Sequence, residues 1–394
     1  MKEVSRSVGT LLLLFALCFS LQGFASSESD DKADGAVSTK EEVEAYIQHH
    51  IKDSHDFHLF SYTNGAGERK HVGFPLPVIV WSSNGLASFM SSAFHHDDSG
   101  EVIVEKNGSR FVKLHSKIYE LDGGANEVKF DEAHHPTNAH KVLDFSMTKS
   151  VVGILLVGLL MLWGFSSLAK QYKTKKVPTG FGRVLEPLVI YVRDEIAKPN
   201  IGEKKYRKFT GYLLTVFFFI WILNLLGLTP LGFNVTGQLA VTAALAIFTL
   251  IIYTVSGNKD YWMHMLWMPG VPVLIRPVLA IIELAGAFLI KPFSLLVRLF
   301  ANISAGHIVV MSLIAIMFTL KNSLGVAGAT GLSLVLSFFI TLIEVLVAFL
   351  QAYIFTMLSA LFIGMAVAEH DHEHEHDAHG HEVADAEDVR ENFI

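Results

Sequence analysis

Late in this chain of 394 residues an arginine stands in surroundings that give no account of its charge. Arg298 is flanked by Leu295, Leu296, Val297, Leu299 and Phe300, and a guanidinium stays protonated in any protein environment. Placing it at the centre of a membrane helix costs on the order of 3 kcal/mol on insertion scales, so it needs an anion or water for a partner. Glu283, Lys291, His307 and Glu344 are the other ionisable groups in the same apolar surroundings. At 3.6 residues per turn, Asn302 falls on nearly the same helix face as Arg298, while His307 is turned to the opposite side. Glu344, Ala348 and Gln351 follow an i, i+4, i+7 spacing, which gives a second helix a polar stripe for a facing partner. Two chemistries fit this set. A carboxylate and a histidine bridged by water can pass protons, because His exchanges protons near neutral pH. The same side chains can also serve only as interhelical hydrogen bonds. Lys291, next to Pro292, either snorkels to an interface or marks a helix break.

The elements that would hold these groups are membrane helices. The chain is 51% hydrophobic and 18% charged, too apolar for an ordinary soluble protein of this length. The apolar residues are concentrated in 146–368, after a polar, His-rich first third. Residues 151–169 are uncharged and about one crossing long. A basic run from Lys170 to Lys208 follows, and the positive-inside rule places it in the cytoplasm. Residues 180–200, with Pro178 and Pro187 near charges at helical spacing, suit an interfacial helix. Residues 209–258 are long enough to cross twice around a break at Thr229, Pro230, Leu231 and Gly232, and the return loop 259–267 mixes charge with aromatics as interfacial segments do. The stretches 277–320 and 332–368, separated by Lys321, Asn322 and Ser323, exceed the roughly 30 Å hydrocarbon core and must tilt steeply or break.

Residues 1–25 have the basic start, short apolar run and small-residue end of a signal peptide, which predicts an exported domain over 26–145. Cleavage after Ala25 would remove Cys18, so that domain would hold no disulfide. It is expected to be α+β and β-rich, with a helix at 39–51 and strands at 74–81, 101–104 and 110–114. Its histidines, His49, His50, His95, His96, His134 and His135 among them, read as scattered surface residues rather than metal ligands, because adjacent residues of a strand point to opposite faces. The acidic, His-rich tail 370–394 contains a literal H-E-x-x-H at His372 to His376. In low-complexity sequence with no rigid helix around it, the match is accidental. No metal and no cofactor are expected.

Three motifs carry a resemblance. Arg298-Leu299-Phe300-Ala301-Asn302-Ile303-Ser304-Ala305-Gly306-His307 resembles the R-L-x-A-N-x-x-A-G-H signature of F-type ATP synthase subunit a. Gln351-Ala352-Tyr353-Ile354-Phe355-Thr356, with Glu344 upstream, is similar to the last-helix motif of that family, and Asn224-Leu225-Leu226-Gly227-Leu228-Thr229-Pro230 to its earlier hairpin motif. The resemblance covers 209–361 and not 26–145. It implies an all-α multi-pass membrane domain over 146–369, with about five membrane helices, an interfacial helix, and a last pair forming a long tilted hairpin against a ring of c-subunits. Further implied partners are the b-subunit peripheral stalk, the other ATP synthase subunits and the lipid bilayer, with no nucleic acid.

The implied function is that of the proton-translocating stator subunit of the F0 sector, in a bacterial plasma (inner) membrane. Its first domain would be periplasmic and its tail cytoplasmic. By matching position, Arg298 would attract the deprotonated rotor carboxylate and separate two aqueous half-channels. His307 and Glu344 would line the outer one, with Asn302 and Gln351 close to the arginine. Glu283 lies one residue farther from Arg298 than the corresponding family carboxylate, so an inner-channel role requires a helix bulge between them. Met365 stands where some relatives carry an acidic residue. No G-x-x-x-x-G-K-[ST] loop is present, so no nucleotide chemistry is expected of the chain. The alternative suggested by the same intramembrane charges is an ion-coupled secondary transporter, although the paired broken helices or internal repeat of such proteins are not found. A metal-binding receptor or enzyme built on the exported domain is the third reading.

Overall fold

The structure, a computed structural model, describes residues 53–63, 69–95, 97–123, 125, 127–131, 136–174, 177–229, 233–267 and 271–368. The expected signal peptide, the helix at 39–51, the tail and five of the six named histidines lie outside the described residues; His95 is described.

The first domain is built from antiparallel strands. A pair, β1 (Asp56–Thr63) and β2 (Arg69–Pro75), precedes a three-stranded sheet of β3 (Pro77–Ser82), β4 (Gly85–Met90) and β9 (Leu143–Asp144), ordered β4-β3-β9. The third sheet runs β5-β6-β7-β8: β5 (Val104–Lys106), β6 (Ser109–Leu114), β7 (Lys117–Leu121) and β8 (Ala139–Lys141). Alternation sets the faces. Val78 and Val80 of β3 are fully buried against Ala87, Phe111 and Ile118, while Trp81 between them and the turn points to solvent. A single strand at 74–81 is expected from the sequence, but two strands form. Pro75 and Pro77 each lack an N–H for a ladder, and the chain changes sheet at Leu76. The strand expected at 101–104 begins only at Val104, because the Val102 N–H is taken by the Asp97 carboxylate at 2.8 Å.

Among the described residues five helices are long and apolar enough to cross a membrane. The first is α1 (Lys149–Thr174). Next, α2 (Gly182–Tyr191) continues through a π-helical stretch, Val192–Ala197, into a last turn, Lys198–Ile201, as the interfacial helix expected there. The hairpin is α3 (Tyr206–Gly227) and α4 (Leu239–Ser256), and its return loop folds as the short helix α5 (Lys259–Leu266). Then α6 (Arg276–Ala285) passes through a second π-helical stretch, Gly286–Ile290, into α7 (Lys291–Val367). The expected break in this last region is present. It falls at Gly325, whose φ of 70° and ψ of 167° leave the helical region, and not at Lys321 to Ser323. Glycine carries that conformation without the steric cost of a Cβ. Gly325 divides α7 into a first and a second arm.

The second arm packs on α3 and α4. Its buried face runs through Ala348, Gln351, Ala352, Phe355, Thr356 and Ser359, and Phe349 meets Phe217 and Trp221 edge-on. Its C-terminal end is capped from two loops: Lys205 Nζ and Asn258 Nδ2 both donate to the Val367 carbonyl, at 2.8 and 2.9 Å. The α2–α3 loop, the α4–α5 loop and the end of α7 therefore lie together. A cation at that position also complements the negative end of the helix dipole.

Gly364 is required by a close approach. A Cβ there would lie 1.9 Å from the Asn200 carbonyl oxygen, a backbone atom at the end of the interfacial helix. Gly364→Ala is expected to push that helix off α7 at a cost of about 1–3 kcal/mol, the usual range for overpacking. Thermal unfolding in detergent would register this as a lowered midpoint, and an unchanged midpoint would contradict the packing described.

Candidate ion-translocation site

The site begins at the crossing of the two arms of α7. Gln351, only 2% exposed, uses both ends of its amide: Oε1 accepts from Asn302 Nδ2 at 2.9 Å, and Nε2 donates to the Arg298 carbonyl at 2.7 Å. A main-chain carbonyl in the first arm can accept an extra bond alongside its helical one. The amide thus ties the two arms together at the level of Arg298. The arginine side chain is half-buried between Leu295 and Leu299, which are fully packed. Among the described residues its guanidinium makes no hydrogen bond and no ion pair. Its backbone is fixed from inside the protein while its charge is left for a partner outside the chain.

Glu344 lies two turns before Gln351 on the second arm and is half-buried. Its Oε1 is buried without a hydrogen-bond partner among the described residues, as is Ser304 Oγ on the first arm. Buried polar oxygens are nearly always satisfied, so this pair calls for water or a proton. The carboxylate fits because the facing residue is Gly306, where an added Cβ would stand 2.6 Å from Oε1. His307 follows Gly306 in the same helix; its side chain lies outside the described residues.

Behind the second arm the hairpin motif supplies a buried pair that sequence reading did not assign. Thr236 Oγ1 donates to Asn224 Oδ1 at 2.7 Å, and Asn224 Nδ2 reaches the Ala348 carbonyl, one turn from Glu344, at 3.5 Å. The available signal was an amide inside the uncharged run 209–258.

Glu283 stands apart from the arm crossing. It is exposed on α6, and its electrostatic neighbours are Tyr261 of α5 and Lys291. The Lys291 ammonium sits 5.5 Å over the Phe362 ring. Lys291 thus does mark a helix discontinuity, as it follows directly on the stretch Gly286–Ile290. That π stretch is a helix bulge between Glu283 and Arg298, the feature an inner-channel role for Glu283 requires. It inserts a wide turn that absorbs an extra residue. The structure therefore joins Arg298, Asn302 and Gln351, places Glu344 against the segment carrying His307, and leaves Glu283 beyond the bulge. Among the described residues no three His, Cys, Asp or Glu side chains group as a metal site.

A helical domain that crosses the membrane several times, with a cation and a carboxylate that find no partner among the described residues held within its span, defines a multi-pass membrane protein handling charge inside the bilayer. Residues 151–364 match the ATP synthase A chain family, and residues 46–145 match a domain of unknown function (DUF8433). The chain is similar to ATP synthase subunit a of Chlorobium phaeobacteroides strain BS1, 44% identical over 80% of this chain and 93% of the relative. It is likewise 44% identical to ATP synthase subunit a of Myxococcus xanthus, over 62% of this chain and 79% of the relative. The Chlorobaculum tepidum protein ATP synthase subunit a 2 is 43% identical over 61% and 68%. The chain belongs to the ATP synthase A chain family, the proton-translocating membrane subunits of the F0 sector. Membership disfavours the secondary-transporter alternative.

Proposed function

We propose that the bent hairpin of α6 and α7 works as the stator face of a rotary ATP synthase, with Arg298 as the charge separating two proton paths. The observation that carries this reading is the Arg298 guanidinium, without a partner among the described residues, on a backbone locked by Gln351. A fixed positive charge favours the ionised form of a carboxylate on a passing rotor helix, whereas lipid favours its protonated form. A rotor site would release its proton on approaching Arg298 from one path and take up another on leaving along the second. Asn302 and Gln351 brace the arginine. Glu344 and His307 serve the outer path, where Gly306 leaves room for the carboxylate. Glu283 serves the inner path, from beyond the π stretch.

The partners in this reading are a c-subunit ring, a b-subunit peripheral stalk, the remaining ATP synthase subunits and lipid. The chain binds no nucleotide and no nucleic acid and performs no hydrolysis itself. The compartment is the bacterial inner membrane. Five crossings put the two ends of the membrane domain on opposite sides, so that a domain exported by a leader at 1–25 is periplasmic and the tail 370–394 cytoplasmic. The domain limits in this reading are 26–145 and 146–369.

Isolation of the tagged full chain from its native membrane in mild detergent is expected to bring down the c-ring, and vesicles containing the chain alone should pass no protons. Proton transport by the chain alone, or isolation without the ring, would overturn the assignment.

A further inference from the structure

We propose that Tyr253 is a positioning residue for Glu283, acting through the backbone of the π stretch. This rests on the inner-path reading of Glu283 given above. Tyr253 is 1% exposed, and its hydroxyl donates to the carbonyl oxygen of Ala287, itself buried and inside Gly286–Ile290. A π turn gives up the i+4 pairing of its carbonyls, so one buried in apolar surroundings gains from a donor supplied by a neighbouring helix. Tyr253, on α4, is that donor. Its ring packs edge-on against Phe362 at 6.0 Å, and Phe362 in turn carries the Lys291 ammonium on its face.

One aromatic pair therefore supports both sides of the wide turn: the hydroxyl holds Ala287 within it, and the Phe362 ring holds Lys291 just after it. Glu283 lies one turn before. If the π stretch closed to a regular helix, every residue on the N-terminal side would rotate by about 100° relative to Arg298. That rotation would carry Glu283 off its face. The groups near the carboxylate, Tyr261 from α5 and Lys291 from its own segment, would lose it together.

The experiment compares Tyr253→Phe, Glu283→Gln and the double variant in the whole ATP synthase, with proton-driven synthesis normalised to assembled complex. Tyr253→Phe keeps the ring and removes only the hydroxyl. It is expected to lower the rate about five- to tenfold, the effect of one buried hydrogen bond. The double variant should match Glu283→Gln, because the hydroxyl has nothing to position once the carboxylate is gone. A full rate in Tyr253→Phe, or losses that multiply in the double variant, would overturn the proposal. A full rate in Glu283→Gln would instead sink the inner-path reading, and the positioning role with it. Deletion of Gly286 removes the residue that the wide turn absorbs, so the closed helix keeps Glu283 on its face, and Tyr253→Phe in that background should cost no further rate. A loss on adding Tyr253→Phe to the deletion as large as in the native chain would overturn the role of the turn.

Discussion

Arg298→Ala is expected to abolish proton-driven ATP synthesis while leaving the complex assembled. Both halves follow from the same geometry. Gln351 holds the carbonyl of residue 298, not its side chain, so alanine keeps the bond that ties the arms of α7. The neighbouring contacts of Leu295 and Leu299 are likewise untouched. What alanine removes is a charge with no ion-pair partner among the described residues, so no buried carboxylate within them is orphaned by its loss. The whole deficit should fall on the passage of ionised rotor sites. Synthesis after an imposed proton gradient, with assembly checked by co-isolation, measures it. A retained rate above about one tenth of the native would mean that the charge is worth less than about 1.4 kcal/mol, and the separator role would be withdrawn.

The second large effect concerns Glu344 and His307. Glu344→Gln and His307→Gln are each expected to lower synthesis strongly, because each removes a group that can both give and take a proton. The exchange variant, His307→Glu with Glu344→His, should retain more activity than either single loss, since the pair is the same with its ends reversed. The space at Gly306 makes the exchange feasible, as nothing but hydrogen faces position 344 from that residue. Equal inactivity of all three variants would argue that the two residues act separately or only as structure.

Much of this arrangement was legible in the sequence, and the reasons differ from element to element. The five candidate spans among the described residues follow from predominantly apolar runs of sufficient length, a signal that needs no tertiary information. Arg298 and Glu344 stand out because charge in such runs is expensive. The π stretch was legible only as a mismatch: Glu283 is one residue out of step, and a bulge is the local way to absorb one residue. The brace from Gln351 was harder, because its acceptor at Arg298 is a main-chain carbonyl, and every residue of a helix has one. The break in α7 was misplaced because Lys321, Asn322 and Ser323 look more polar than Gly325. Backbone conformation, not polarity, decides where a helix opens. In the first domain, local alternation identified β6, but the pairing of β3 with β9 joins Trp81 to Leu143 across some sixty residues. Such register is set by sheet packing and has no local signature.

The first turn of α1 has a consequence for the domain before it. The Ser54 carbonyl accepts the Lys149 N–H at 3.0 Å, and the Asp53 carboxylate accepts the Ser150 N–H at the same distance. The buried His55 ring then meets Asp144 at 2.7 Å. Entry and exit of the β-rich domain are thus stitched at one point, and the stitch uses the free N–H groups that open a helix. The domain is mounted like a knob on a shaft: a torque applied to it outside the bilayer passes directly into the backbone of α1, with no slack linker to absorb it.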